Sequence, residues 1–194
     1  GHRRQQPGAL VSFAPGPTGL LACTMAEELT ARWHQAIAAV PESQWQQLLF
    51  AGGGAGLPFF QWGWLQALEA SGSATAATGW ACNYLLVTQQ DRLAGACVLY
   101  LKSHSYGEYV FDWAWADAYQ RHGLRYYPKA LIAVPFTPVP GSRLLARDAE
   151  SRRRLCQAVL AWCEQSELSS LHLLFASEAD LQATQSLGWK QRHT

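Results

Sequence analysis

A predicted β-hairpin in the middle of the chain limits the folds that this sequence can adopt. Residues 83–88 and 93–101 are rich in Leu, Val and Tyr, and the short Gln-Gln-Asp-Arg link between them is typical of a hairpin turn. Further apolar runs predict buried strands over residues 129–136 and 171–175, a short first strand at residues 9–14, and a last strand from residue 189. These segments are numerous enough to build a central sheet.

The first helix is predicted from a start signal and an apolar stripe. Thr24 and Glu27 have the spacing of a capping box. Behind them, apolar residues recur at helical spacing as far as a proline that would end the helix. The stripe consists of Leu29, Trp33, Ile37 and Val40, and the proline is Pro41.

The remaining helices are predicted between and after the strands. Short helices are expected around Trp45, over residues 61–70 and over residues 111–122. Asp148 is expected to cap the longest helix, and Ser177 with Asp180 forms a capping box for the last one. The glycine-rich residues 52–56 lack the Gly-Lys-Ser/Thr end of a phosphate loop and are interpreted as a connector.

Composition excludes several classes of protein. Hydrophobic residues make up 49% of the 194 residues and charged residues 15%, so the chain can bury a core and is not intrinsically disordered. A net charge of +1 gives no basic face for duplex nucleic acid, and no apolar run approaches the length of a membrane span. The five cysteines form no Cys-x-x-Cys pair, which predicts a reduced, cytoplasmic protein without a bound metal.

One central segment is unlike ordinary core sequence. Residues 100–129 have the sequence YLKSHSYGEYVFDWAWADAYQRHGLRYYPK. This segment resembles the FemAB-like family of bacterial proteins, which are described under peptidoglycan biosynthesis or recognition and are related to GNAT acyltransferases. The resemblance extends from Trp33 to Arg192 and is also carried by residues 67–73, 78–80, 133–138 and 169–172. It implies an acyl- or aminoacyltransferase that acts on an amine acceptor such as a cell-wall precursor.

The order of predicted elements agrees with a GNAT-like fold. The order is β-α-α-β-β-β-α-β-α-β with a helical insertion before the fourth strand, and the predicted class is α/β (α+β), a mixed central sheet flanked by helices. We expect an N-terminal segment, residues 1–23, followed by a GNAT-like domain, residues 24–194. Because more strand normally follows the last helix, the sheet is expected to be incomplete at its C-terminal side. A missing C-terminal half or a second copy of the chain would then cover its edge.

The central segment places acidic groups beside aromatic rings, a combination that suits a sugar or a cationic amine. Acyl transfer to an amine also needs a base for the ammonium proton, and Glu108 and His104 are the candidates. The predicted substrate-binding residues are Tyr106, Asp112, Trp113, Trp115, Asp117, Arg125 and Tyr126. Each has a structural alternative, in which the tryptophans anchor a helix to the sheet and the aspartates lie at helix ends, with Asp112 as a cap. The density of polar groups in the segment favours a pocket, because they are costly to bury without partners.

The donor site is predicted just before the Asp148 helix, where GNAT enzymes bind the pyrophosphate of coenzyme A. Gly141, Ser142 and Arg143 offer a glycine and a cation there, but they do not match the Gln/Arg-x-x-Gly-x-Gly/Ala pattern. Acyl-CoA and aminoacyl-tRNA both stay open as donors. Two alternatives to an enzyme also stay open. One is a non-catalytic module that binds a cell-wall fragment or an amine, and the other is a structural protein whose aromatic cluster contacts another chain.

Overall fold

One mixed sheet organises the structure, a computed structural model that describes residues 9–13, 29–52, 56–110 and 112–193. Its strands are β1 Ala9–Phe13, β2 Thr30–His34, β3 Trp80–Gln89, β4 Arg92–Lys102, β5 Lys129–Ile132, β6 Leu144–Ala146, β7 Leu171–Ala176 and β8 Lys190–His193. The α-helices are α1 Glu42–Ala51, α2 Trp62–Ser71, α3 Trp113–Arg121, α4 Ala149–Gln165 and α5 Glu178–Gln185. This arrangement confirms the predicted α+β class.

The strands follow the order β2-β3-β4-β5-β7-β1-β8, and β6 also pairs with β4. Strands β5 and β7 run parallel, with Ile132 opposite Leu173, whereas the pairs on either side of them are antiparallel. The carboxyl ends of β5 and β7 therefore meet at the same edge of the sheet. The segment that follows β5 returns to this edge, where Gly141 forms a bridge to Ala176.

The predicted hairpin is confirmed as β3 and β4. Its turn consists of Gln90 and Asp91, both with positive φ (48° and 60°), which matches the twist of the two strands. The strands are longer than the apolar pattern indicated, and their pairing extends to Trp80 opposite Lys102. This register brings a lysine at the end of an apolar strand next to an aromatic side chain.

Helices cover both faces of the sheet and bury a core on each side. On one face, the strand residues Leu85 and Leu99 pack with Leu155 and Val159 of α4. The opposite face is lined by α1 and α2; its core includes Tyr84, Leu86, Val98 and Tyr100 of the sheet and Trp45, Leu48 and Leu65 of the helices. The alternation of side chains along β3 and β4 supplies both cores.

The helix predicted from Thr24 to Val40 is wrong for residues 29–40, the part that the structure describes. Its predicted capping residues, Thr24 and Glu27, lie outside the described ranges. Thr30–His34 form strand β2, which pairs with β3. The apolar residues at helical spacing are divided between the two cores, because Leu29 and Trp33 pack on the α4 side and Ile37 and Val40 lie in the core beneath α1. The helical spacing of these four apolar residues is therefore a coincidence. The chain crosses from one face of the sheet to the other between Trp33 and Ile37.

The strand predicted over residues 129–136 is shorter than expected, because β5 ends at Ile132 and Phe136 adopts a positive φ of 58°. Strand β6 was not predicted; its three residues are too few to show a period. The helix caps are confirmed: Asp148 accepts a hydrogen bond from the Ser151 amide at 2.7 Å, and Ser177 and Asp180 form a capping box. No helix in the described part of the chain is long and apolar enough to span a membrane.

Free thiols lie in the interior. Cys97, Cys156 and Cys163 are buried, and burial raises the pKa of the Cys156 and Cys163 thiols to about 12. Such thiols behave as small apolar side chains rather than as nucleophiles. Cys23 lies outside the described residues.

Candidate functional site

The site is built where β4 ends and β5 begins. Lys102 is the last residue of β4, Lys129 is the first of β5, and the two pair directly opposite each other. Because side chains alternate along a strand, Lys102 lies on the same face as the buried Tyr100. Both lysines are almost completely buried, with 0% and 1% of their surface exposed. Two ammonium groups on one buried face need nearby negative charge.

The loop between β4 and α3 supplies that charge. Lys129 Nζ lies 2.7 Å from Glu108 Oε2 and also contacts Asp112 Oδ2 directly. Lys102 Nζ lies 3.9 Å from Glu108 Oε1. We call Lys102, Glu108, Asp112 and Lys129 the buried charge cluster. Its two cations and two carboxylates balance one another inside the protein.

Asp112 is held by several donors. The Tyr126 hydroxyl donates to Oδ2 at 2.7 Å, and the Ser105 hydroxyl donates to Oδ1. Burial raises the pKa of the Asp112 carboxyl, but the hydrogen bonds from Lys129, Ser105 and Tyr126 outweigh that effect and hold the pKa below its usual value. Asp112 occupies the N-cap position of α3 without making a capping hydrogen bond. The alternative interpretation of Asp112 as a helix-end residue is therefore confirmed in position, but its carboxylate binds the cluster instead of capping the helix.

Glu108 has a different environment. Its side chain is buried, and burial raises the pKa of the carboxyl although Lys129 and Lys102 act in the opposite direction. Among the described residues, Oε1 has no hydrogen-bond partner. A buried carboxylate oxygen without a donor is unusual in a folded protein. Glu108 therefore keeps an unused acceptor on a group whose proton affinity is increased.

Lys102 is enclosed by an aromatic ring and a backbone carbonyl. Its Nζ lies 3.5 Å from the centroid of the Trp80 ring and donates a hydrogen bond to the Tyr106 carbonyl at 3.2 Å. Burial lowers the pKa of the Lys102 ammonium to about 8, although Glu108 raises it in part. The neutral amine therefore becomes populated at a mildly alkaline pH.

This shift predicts a pH-dependent stability. Between pH 8 and the ordinary lysine pKa of 10.5, the unfolded state binds more protons at Lys102 than the folded state does. The free energy of unfolding contributed by this residue should therefore rise with pH, by at most about 1.4 kcal/mol per pH unit. Urea unfolding from pH 7 to 10.5 should show wild type gaining stability relative to Lys102→Met. The same substitution at the exposed Lys190 is the control, and a flat difference for Lys102→Met would contradict the lowered pKa.

A glycine allows the loop to pass close to two rings. Gly107 has a φ of +80°, and a Cβ at this position would lie 2.6 Å from Phe136 Cδ1 and 3.2 Å from Trp80 Cζ2. The Phe136 amide donates to the Gly107 carbonyl at 3.1 Å. Only glycine fits this conformation and this space. The loop next to Glu108 is thereby fixed against the segment that follows β5.

Aromatic side chains surround the loop on the outside. Tyr106 is 71% exposed, Trp113 62% and Trp115 49%, and α3 has no buried residue. Neither tryptophan is therefore a core residue. Tyr109, next to Glu108, is also exposed and has a positive φ of 60°. The segment that carries Glu108 and Asp112 thus exposes several aromatic rings.

The other predicted residues of this segment are spread around the site. His104 packs against Tyr106 with 5.1 Å between ring centroids, and its Nδ1 accepts a hydrogen bond from the Tyr106 amide. Asp117 forms an ion pair with Arg121 on the exposed surface of α3, and Arg125 is exposed. The structure therefore joins Glu108, Asp112 and Tyr126 in one cluster. It places Trp113, Trp115, Asp117 and Arg125 on the surface.

The predicted donor loop lies elsewhere, between β5 and β6. Arg143 is 1% exposed; its Nε donates to the Leu174 carbonyl at 3.0 Å, and its Nη2 donates to the Val139 carbonyl. Burial lowers the pKa of the Arg143 guanidinium to about 10. Gly141 donates its amide to the Phe175 carbonyl, and Ser142 donates its hydroxyl to the Leu144 carbonyl. The Arg143 charge is thus held inside the protein rather than presented on the surface.

Sequence reasoning missed both lysines of the cluster and two hydroxyls. Ser105 Oγ lies 2.6 Å from the Tyr127 hydroxyl and accepts from Lys129 at 3.2 Å. A signal for Lys102 was present in the alternation of β4, which assigns it to the buried face of Tyr100. No local pattern indicates that Lys129 lies opposite it, because that contact depends on the register of two distant segments.

The comparisons with known proteins agree with the resemblance of the central segment. A family model named FemAB-like and described as peptidoglycan biosynthesis/recognition matches residues 36–194, a range that contains the whole buried charge cluster. Neither the curated proteins nor the solved structures gave a match. Because the family model covers most of the chain, the protein belongs to the FemAB-like family.

Proposed function

We propose that the protein is an acyl- or aminoacyltransferase with a GNAT-like fold that acts on an amine acceptor, a cell-wall precursor. The observation that carries this proposal is Glu108, a buried carboxylate with a raised pKa and an oxygen that lacks a hydrogen-bond donor. A base with increased proton affinity suits the removal of a proton from an amine. The family description as peptidoglycan biosynthesis/recognition supports the class of acceptor.

The proposed reaction uses Glu108 as the general base. The acceptor amine attacks the carbonyl carbon of the donor, and a carbon–nitrogen bond forms. The ester bond of an aminoacyl-tRNA or the thioester bond of an acyl-CoA breaks, and the leaving oxygen or sulfur departs with its electron pair. Glu108 Oε1 takes the proton that the amine loses, while Lys129 holds Oε2 at 2.7 Å. His104, on the same loop, is the second candidate for this proton.

The acceptor is proposed to bind to the exposed aromatic rings of the segment that carries Glu108. Exposed rings such as Tyr106, Trp113 and Trp115 offer flat apolar faces for a sugar. Asp117 and Arg125 lie on the exposed surface beside them. Because the Asp112 oxygens already accept from Lys129, Ser105 and Tyr126, we assign Asp112 and Tyr126 to positioning Lys129 rather than to contact with the acceptor.

The donor is proposed to bind beside Gly141, Ser142 and Arg143. This segment lies at the carboxyl ends of the parallel strands β5 and β7, the edge at which sheets with parallel strands commonly bind ligands. Acyl-CoA and aminoacyl-tRNA both remain in the proposal. The experiment below distinguishes them because each donor is supplied separately.

Replacement of Glu108 tests the proposed function directly. We expect Glu108→Gln to lower the rate of transfer roughly 10²–10⁴-fold, because the amide cannot take the ammonium proton. The protein is incubated with a lysine-containing muramyl peptide and either acetyl-CoA or a mixture of aminoacyl-tRNAs, and the mass of the peptide is measured over time. Glu164→Gln, the same chemical change at an exposed residue of α4 outside both proposed sites, is the matched control and should keep the wild-type rate.

The identity of the base is tested by a third variant. If His104→Ala abolishes transfer while Glu108→Gln retains a rate close to that of wild type, His104 is the base and the assignment of Glu108 is wrong. Circular dichroism of each variant verifies that the fold is retained, so that a loss of rate is not a loss of structure.

A second candidate is a non-catalytic module that binds a cell-wall fragment or an amine. The observation that favours it is the charge balance of the cluster, in which Lys129 contacts both carboxylates, so that the site is stable without any reaction. This candidate predicts that the muramyl peptide quenches the exposed Trp113 and Trp115 while neither donor gives a product. Glu108→Gln and His104→Ala would then weaken binding with no turnover to lose.

A further inference from the structure

A buried arginine has no acidic partner within ion-pair distance among the described residues. The Arg143 guanidinium donates to the carbonyl oxygens of Leu174 and Val139. The neighbouring carboxylate, Asp180, accepts from the backbone amide of Arg143 and forms its ion pair with Arg152. Asp180 attracts the Arg143 guanidinium from a greater distance, but burial outweighs this attraction and lowers the pKa of Arg143 to about 10. The loss of hydration of this cation is therefore only partly compensated.

The same guanidinium lines a cavity. The cavity has a volume of about 240 Å³. Its lining includes Leu57, Phe59, Phe60, Val134, Val139 and Arg143. The walls are mostly apolar and open partly to solvent, and the guanidinium carbon lies 5.7 Å from the centroid of the Phe60 ring. One cation in a mostly apolar cavity favours a ligand with one negative charge and an apolar body.

Gly141 keeps the third nitrogen of the guanidinium accessible. A Cβ at Gly141 would lie 3.2 Å from Leu57 Cδ2, a tight contact, and 3.4 Å from Arg143 Nη1, where it would cover that nitrogen in van der Waals contact. No described residue accepts a hydrogen bond from Nη1, whereas Nε and Nη2 are both used. The missing side chain therefore leaves one donor of a buried cation next to a wall of the cavity.

We infer that this cavity binds a small apolar carboxylate, which pairs with Arg143 through Nη1 and packs its hydrocarbon body against Leu57 and Phe60. A cavity of 150 Å³ holds benzene, so a volume of about 240 Å³ suits a ligand of roughly ten non-hydrogen atoms. The ligand shares Gly141 and Arg143 with the proposed donor site. The inference goes beyond the proposed function, since it assigns to this place a binding equilibrium that requires neither transfer nor the acceptor.

Hexanoate is the probe for this site. We expect calorimetric titration of the full chain to show saturable binding, and the melting temperature to rise by roughly 5 °C at a hundredfold excess over Kd. Hexanamide has the same shape without the charge, and acetate has the charge without the apolar body. Each should bind at least roughly tenfold more weakly than hexanoate. Equal affinity of hexanoate and hexanamide, or no binding of hexanoate at about 10 mM, would overturn the inference.

Variants that fill the cavity keep Arg143 and its structural hydrogen bonds in place. Leu57→Trp and Val139→Phe should each weaken hexanoate binding by roughly tenfold or more, because the added atoms occupy the ligand volume. Gly63→Ala on α2, where a Cβ meets no atom within 4 Å, is the control and should bind like wild type. An unchanged Kd in both cavity variants, with folding verified by circular dichroism, would show that hexanoate binds elsewhere. Because the readout is binding alone, failure of the transfer assay does not affect this test.

Discussion

Lys129→Met is expected to destabilise the fold by about 3–5 kcal/mol. Lys129 is the cation between Glu108 and Asp112, and its removal leaves two buried carboxylates with Lys102 as the remaining cation, 3.9 Å from Glu108. The loss should be larger than the value of the ion pairs themselves, because uncompensated charge stays in the interior. Urea unfolding at pH 7, analysed by linear extrapolation, measures the change in the free energy of unfolding.

Two further variants establish the cause of that loss. Arg121→Met breaks the exposed ion pair with Asp117 and should change the free energy of unfolding by less than about 1 kcal/mol. Combining Lys129→Met with Glu108→Gln and Asp112→Asn should recover part of the stability, because the stranded charges are removed with the cation. A cost below about 1 kcal/mol for Lys129→Met alone would show that water reaches the cluster.

Much of the fold could be predicted because its signals are local. The cap of α4 at Asp148 and the capping box of Ser177 and Asp180 each act within three residues, and each was recognised from sequence. Helix α2 was predicted to within one residue at each end, and it ends where Gly72 adopts the left-handed conformation. The hairpin of β3 and β4 was recognised because a short polar link, Gln-Gln-Asp-Arg, separates two apolar runs.

The errors arose where structure depends on distant contacts. Strand β2 exists because it pairs with β3, some fifty residues later in the chain, and no local propensity opposes a helix there. Strand β6 is three residues long and is defined only by its pairing with β4. In both cases the partner, rather than the segment itself, determines the conformation.

In the candidate site too, residues with local signals were predicted and residues that depend on distant contacts were missed. Glu108, Asp112 and Tyr126 were predicted because a dense run of acidic and aromatic residues is costly to bury without partners. Lys102 and Lys129 were missed because their role depends on the register of β4 against β5. The role predicted for Asp112 was revised for the same reason, because its hydrogen-bond donors include Lys129 and Tyr126, which follow α3 in the chain.

Strand β5 connects the two regions that the proposals use. Lys129, at its first residue, belongs to the buried charge cluster, and Val134, just beyond its last residue, lines the cavity. Five residues of extended chain span at most roughly 17 Å, so the backbone positions of the two regions lie within about that distance of each other. A rigid, buried strand between them would keep their separation fixed.

Asp180→Ala is expected to have an effect on stability as large as that of Lys129→Met, about 3–5 kcal/mol. Asp180 is fully buried; it accepts from the Arg143 amide at 2.6 Å and from the Leu144 amide at 3.3 Å, and its Oδ1 lies 3.4 Å from Arg152 Nε. Burial raises the pKa of the Asp180 carboxyl, and the Arg143 amide lowers it only in part. Removing the carboxylate leaves two backbone donors and a cation without their acceptor.

The cost can be calibrated within the same chain. Asp148→Ala removes a helix cap on an exposed residue and should cost about 1 kcal/mol in the same urea titration. Asp180→Asn keeps one acceptor oxygen, so its loss in the free energy of unfolding should lie between those of Asp148→Ala and Asp180→Ala. If Asp180 positions the segment from Gly141 to Leu144, Asp180→Asn should also weaken hexanoate binding, whereas Asp148→Ala should leave it unchanged. An Asp180→Ala variant no less stable than Asp148→Ala would instead mean that this segment is held by the sheet alone, and that Arg143 keeps its place in the cavity wall without the carboxylate behind it.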